Sequence, residues 1–120
     1  MESGDTSAWI GVDIGTTGTR AVVFDRRGRA LEAVARTYPL LAPRPGWAAQ
    51  SPTTVHDATT EALAAAAAHE LGTPLSTITV VAKEMLREVE PDDPLREDVE
   101  LLSSESDRCR SILARLSVDP

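Results

Sequence analysis

Trp9-Ile-Gly-Val-Asp-Ile14, Gly15-Thr-Thr-Gly-Thr19 and Arg20-Ala-Val-Val-Phe-Asp25 follow one another without a gap, and their reading decides the first half of the fold. Two short apolar runs flank a turn made of glycines and hydroxyls, which is the pattern of a β-hairpin. Asp25-Arg-Arg-Gly28 forms a second turn, and Ala30–Thr37 returns as a third strand. The stretch from Tyr38 to Pro52 carries prolines at 39, 43, 45 and 52, each without the N–H that regular structure requires. Ser51 before Pro52 has the form of an N-cap followed by proline at the first helical position, so a helix is expected to begin there.

The turn is also the first place where chemistry can reside. In Asp13-Ile-Gly-Thr-Thr-Gly-Thr19 the glycines allow a tight bend, and backbone N–H groups with threonine hydroxyls can cradle phosphate oxygens. Asp13 at a strand end can hold Mg²⁺, usually through water. The segment has neither the Gly-Lys-Ser/Thr of a Walker loop nor a Gly-x-Gly-x-x-Gly fingerprint. From these residues alone an ordinary hairpin turn explains the pattern as well.

The run Gly11-Val-Asp-Ile-Gly-Thr-Thr-Gly-Thr-Arg-Ala-Val-Val-Phe-Asp25 resembles the opening of the FGGY carbohydrate kinases, which have an actin/hexokinase-like fold. Tyr38-Pro-Leu-Leu-Ala-Pro-Arg-Pro-Gly-Trp47 is similar to the continuation in gluconokinase- and xylulokinase-like members. The resemblance covers about residues 9–65. It implies that Asp13 assists Mg²⁺–ATP and that Gly15, Thr16 and Thr17 contact phosphates. Ala49 and Ser51 stand where the family usually has acids, and His56 where it commonly has Trp. The family's sugar pocket, catalytic-base aspartate and second nucleotide-binding domain have no counterpart in these 120 residues, so no sugar phosphorylation is expected of this chain alone.

The composition divides at the middle. All four aromatic residues (Trp9, Phe24, Tyr38, Trp47) lie in the first half. Residues 1–60 carry six acids against six Arg, while residues 61–120 carry thirteen against five Arg and one Lys. The entire net charge of −7 therefore belongs to the second half, and a chain so charged lacks the clustered cations that nucleic acid demands. One cysteine excludes an internal disulfide framework and fits a reducing cytosol. Met1–Asp5 has no basic or apolar region of a signal peptide, and Ala64–Ala68 is too short to cross a bilayer. A cytoplasmic chain with no membrane segment is expected.

The second half reads as a helical hairpin. Helix is favoured from about Thr53 to Val89, with Ala62 and Ala64–Ala68 as strong formers. Glu90-Pro-Asp-Asp-Pro94 interrupts it, and Asp93 with Pro94 can cap a second helix. Apolar spacing alternates by four and three along Leu71, Leu75, Ile78, Ala82, Met85, Val89, and again along Leu95, Val99, Leu102, Ser106, Cys109, Leu113, Leu116. Two such seams on an antiparallel hairpin predict a homodimer closed as a four-helix bundle. The fold class is α+β, with a three-strand fragment over 1–60 and the hairpin over 61–120. Three strands cut from a larger sheet are expected to leave an uncovered apolar face and weak amide protection over residues 8–40.

His69 lies two residues before Leu71, roughly 200° around the helix, which predicts exposure to solvent. Glu70 adjoins it and Thr73 is one turn along the same face. An exposed imidazole beside a carboxylate is a usable nucleophile near neutral pH. A solvated surface histidine fits the same residues. Thr73 replaces the second histidine of a His-Glu-x-x-His zinc motif. Pro74 cannot donate to the carbonyl of Glu70 and is expected to bend or loosen the helix there.

Ala68-His-Glu-Leu-Gly-Thr-Pro-Leu-Ser-Thr-Ile78 resembles the phosphoacceptor box of sensor histidine kinases of the redox-responding RegB/PrrB type. The similarity continues through Pro94–Leu102 and Arg108–Leu113, covering about residues 62–117. It implies that His69 is the phosphoacceptor, Glu70 its acid/base helper, Thr73 a residue affecting dephosphorylation and Cys109 a redox-responsive cysteine. Read from the seam alone, Cys109 is a small core residue. The resemblance further implies an ATP-binding kinase domain and a response regulator acting in trans. ATP and Mg²⁺ belong to both families, and no tightly bound cofactor is expected. The two resemblances meet in the alanine-rich Glu61–His69, which suits either parent, so the chain reads as a join of two phosphotransferase modules.

Overall fold

The computed structural model describes residues 7–117; Met1–Asp5, read above as lacking signal-peptide character, falls outside them. The architecture is α+β: β1 (Trp9–Ile14), β2 (Gly18–Phe24), β3 (Ala30–Thr37), then α1 (Pro52–Glu88) and α2 (Arg96–Ser117). Two compact units meet between Ala67 and Ala68, and α1 contributes residues to both.

In the first unit the strands form an antiparallel sheet of order β1-β2-β3. Ile10 pairs with Val23 and Val12 with Ala21, while Ala21 pairs in turn with Val34, so these side chains share one face. Ala21 and Val23 are buried there against Ala62 and Ala66 of α1, with Val34 packed beside them. Alanine's short side chain lets the helix backbone come close to the sheet. The apolar face expected to be bare is therefore covered at β2 and β3. It is bare only at β1, where Ile10, Val12 and Ile14 are 40, 42 and 56% exposed.

Local chemistry sets the connections. The Asp25 carboxylate accepts hydrogen bonds from the N–H groups of Arg27 and Arg29, both at 2.9 Å, and from Arg29 Nε at 3.1 Å. Gly28 takes φ 78° in this turn, a conformation costly for a residue with a Cβ. The proline-rich stretch is irregular apart from one antiparallel bridge, Leu41 to Ala49. Ser51 Oγ accepts from the N–H of Thr54 at 3.3 Å, and α1 starts at Pro52.

In the second unit α1 passes through Pro74 without interruption and faces α2 in antiparallel sense, with Lys83 Nζ 3.7 Å from Asp107 Oδ1. Asp93 Oδ1 accepts from the N–H of Leu95 at 2.8 Å at the start of α2. The seam differs in phase from the one expected. Buried or half-buried along the facing seam are Leu75, Thr79, Ala82 and Leu86 of α1, with Val89 just past its end; on α2, Arg96, Val99, Ser103, Ser106, Leu113 and Ser117. Ile78, Met85, Leu102, Cys109 and Leu116 are exposed instead. Each helix thus carries two overlapping seams that share every seventh residue. At the positions they do not share, the inner seam has Thr79, Ser103 and Ser117 beside Leu86 and Arg96, and the outer one has Ile78, Met85, Leu102, Cys109 and Leu116. A wide apolar face of this kind exceeds what one facing helix can cover. No helix among the described residues is long and apolar enough to cross a membrane.

Candidate functional site

The first candidate lies at the β1–β2 turn. Asp13, Gly15, Thr16 and Thr17 are all exposed at that end of the sheet. Gly15 N–H donates to the Gly18 carbonyl at 2.8 Å, which closes the bend. A Cβ on Gly18 would come within 2.9 Å of the Arg36 carbonyl oxygen, so β3 can pair here only against glycine. Thr19 Oγ1 donates to the Asp13 carbonyl at 3.0 Å, tying the two strands together below the bend.

Two residues from far along the chain hold this turn. The Tyr38 hydroxyl lies 2.5 Å from the Gly15 carbonyl oxygen and 3.0 Å from that of Gly18, and shares its one proton between them. Gln50 Nε2 donates to the carbonyls of Gly15 and Thr16, at 3.1 and 2.6 Å. The Tyr38 N–H takes the Thr17 carbonyl at 3.0 Å. Every carbonyl from Gly15 to Gly18, each a group that would repel an anion, is thus engaged by a protein donor. No local pattern marks Tyr38 or Gln50, because their partners lie 20 to 35 residues away. Asp13 is the only carboxylate the turn offers, and among the described residues no group of three or more His, Cys, Asp or Glu is gathered for a metal. Mg²⁺ at Asp13 would need most of its oxygen ligands from phosphate and water, the usual habit of that ion.

The second candidate is an open cleft of about 570 Å³ between α1 and α2 in the second unit. His69, Gly72, Thr73, Ser76 and Thr77 line it from α1, following one helix face by threes and fours. Arg110, Leu113 and Ser117 line it from α2. His69 and Thr73 are exposed, as their place on the helical wheel predicts, and both open on this cleft. Glu70 is half-buried and lies outside it. Cys109 is exposed and borders a separate apolar groove with Leu71, Pro74, Ile78 and Ile112. A seam phase placing Cys109 in the core would have hidden its thiol. In the observed phase the thiol is accessible and Arg110 turns toward the histidine's cleft.

The family model of the N-terminal domain of the FGGY family of carbohydrate kinases matches residues 8–117. The chain belongs to the FGGY family of carbohydrate kinases. Among its relatives is a glycerol kinase of Gloeobacter violaceus, 37% identical over 59 residues, covering 49% of this chain and 12% of that enzyme. A crystal structure of gluconate kinase from Lactobacillus acidophilus aligns with TM-score 0.47 and 32% identity over 52% of this chain and 13% of that one. The FGGY chain also has a relative of another kind, the sensor histidine kinase RegB of Cereibacter sphaeroides. That protein is 55% identical over 49 residues, covering 41% of this chain and 11% of its own length. The chain therefore spans about a tenth of the curated relatives it matches in either direction.

Proposed function

We propose that the chain is a histidine phosphotransfer module: His69 accepts a phosphoryl group from a separate ATP-binding kinase domain and passes it to a response regulator. The observation that carries this reading is the exposed imidazole of His69 on the cleft it shares with Thr73. The 55% identity to a sensor histidine kinase supports it. In the transfer an imidazole nitrogen attacks the γ-phosphorus of ATP bound to the donor domain. The N–P bond forms, the bond to the bridging oxygen breaks and ADP leaves. The imidazole proton passes to Glu70 or to water. Thr73, one helical turn on in the same cleft, would affect the later loss of the phosphoryl group. The exposed outer seam of Ile78, Met85, Leu102 and Leu116 supports assembly of two hairpins into a homodimeric four-helix bundle in the cytoplasm. Cys109, accessible on α2, would carry a redox response.

The test is labelling from ATP in the presence of a sensor-kinase ATP-binding domain. The label should be stable to alkali and labile to acid, absent from His69→Gln and present in His56→Gln. Its efficiency should be low, because a free donor domain lacks the effective concentration of a tethered one. Label persisting in His69→Gln would remove the reading.

A second reading rests on the family match and on the pinned turn. In it Asp13, Gly15, Thr16 and Thr17 bind the phosphates of Mg²⁺–ATP as part of a sugar kinase, with the helices as scaffold. Saturable ATP binding lost in Asp13→Ala, without label at His69, would favour it.

A further inference from the structure

We propose that Arg110 is the anion-holding residue of the His69 cleft, placed to grip the phosphoryl group that the histidine receives. The inference deepens the phosphotransfer reading and rests on it. Arg110 is the one cationic side chain among the described residues lining the cleft, and none of those residues is acidic. The remaining polar groups are the imidazole of His69 and the hydroxyls of Thr73, Ser76, Thr77 and Ser117. In a half of the chain that carries all of its net negative charge, a cleft free of carboxylates and edged by a guanidinium is a local site for an anion.

The electrostatics of the neighbouring residues leave that charge available. Asp107 Oδ1 lies 3.9 Å from Arg110 Nη1 and 3.7 Å from Lys83 Nζ, so one carboxylate is shared between two cations. The three groups together carry a net charge of +1. The arginine side chain is half-exposed, and its planar donors suit phosphate oxygens better than a single point charge does.

The cleft is open at Gly72. A Cβ built there meets nothing within 4 Å, and on α2 the facing wall includes Ala114. Glycine within a helix costs about 1 kcal/mol relative to alanine.

Phosphoramidate provides a test independent of any kinase domain. Its P–N bond breaks, the phosphoryl group moves to an imidazole nitrogen and ammonia leaves. The full chain contains two histidines, and His56, exposed in the first unit with its Nδ1 3.3 Å from Asp57 Oδ1, serves as the internal reference, the change in ratio on altering Arg110 being the reading. Followed by ³¹P NMR, His69 should be phosphorylated about fivefold faster than His56, the scale of one partly exposed charge pair. The advantage should shrink with added salt. Arg110→Ala should remove it, and Arg110→Lys should keep at least half. An unchanged rate ratio in Arg110→Ala would overturn the assignment. So would an Arg110→Lys as slow as the alanine variant, since packing of the long side chain would then be the cause. Failure of the phosphotransfer reading would show separately, as absent ATP-dependent labelling while the phosphoramidate ratio still depends on Arg110.

Discussion

Val23→Ala should loosen the first unit far more than Ile10→Ala, although the two residues are direct partners across β1 and β2. Val23 is 1% exposed and packs among Ala21, Ala62 and Ala66. Removing two carbons there forfeits about 1.6 kcal/mol at roughly 0.8 kcal/mol per buried carbon. A residual cavity brings the cost to about 2 kcal/mol, because helix and sheet backbones cannot follow the lost volume. Ile10 is 40% exposed at the uncovered edge, so its larger truncation leaves no enclosed void and should cost about 1 kcal/mol. Native-state amide exchange in β2 is the assay. The Val23 variant should exchange about 30-fold faster and the Ile10 variant about fivefold faster. Equal effects of the two, or no protection of β2 in the unaltered chain, would refute the packing of the alanine face on the sheet.

Further expectations concern the turns and the outer seam. The N–H of Arg29, aided by that of Arg27 and by the Arg29 guanidinium, holds the Asp25 carboxyl below its ordinary value of 3.8. The stabilisation it gives is then complete above that pH and is lost as the pH falls below it. In the folded chain the Arg27 and Arg29 amide shifts should titrate with a midpoint under 3.8, and a midpoint at or above it would contradict the turn. Tyr38→Phe removes the hydroxyl from the Gly15 and Gly18 carbonyls, at a cost of about 1 kcal/mol. The Gly15 amide should exchange about fivefold faster, and an unchanged rate would mean that Gln50 suffices. Ile78→Asp with Leu102→Asp should give a monomer by sedimentation with full helical signal. Ala82→Asp should lose the helical hairpin itself, because a charge would enter its inner seam. An unaltered chain that sediments as a monomer would remove the four-helix bundle.

Local signals in the sequence located the elements well, and long-range packing decided what was missed. The apolar runs either side of Gly15-Thr-Thr-Gly18 and the proline at 52 place the strands and the start of α1 to within a residue or two. The alanine run revealed its helix but not its role, since helix propensity carries no information about which sheet the helix will cover. On the hairpin, Leu75, Ala82 and Val89 belong to both seams, so a four–three count passes through them in either phase. Choosing larger residues at the remaining positions selected the outer seam. The hairpin itself also closes on Thr79 and Ser103, whose small size permits close approach and whose polarity hides them from an apolar count. The same phase difference concealed Arg110. Its relation to His69 is visible only once α2 is set antiparallel to α1.

The most direct measurement of the central claim is the location of the phosphoryl group in the unaltered chain. With two histidines, ¹⁵N-labelled imidazole resonances resolve both sites in one spectrum. After incubation with ATP, Mg²⁺ and a sensor-kinase ATP-binding domain, one imidazole should acquire ¹⁵N–³¹P coupling. The account predicts that it is His69, with the His56 resonances unmoved. Coupling at His56, or two imidazoles unchanged while the donor domain phosphorylates its own cognate hairpin, would contradict it.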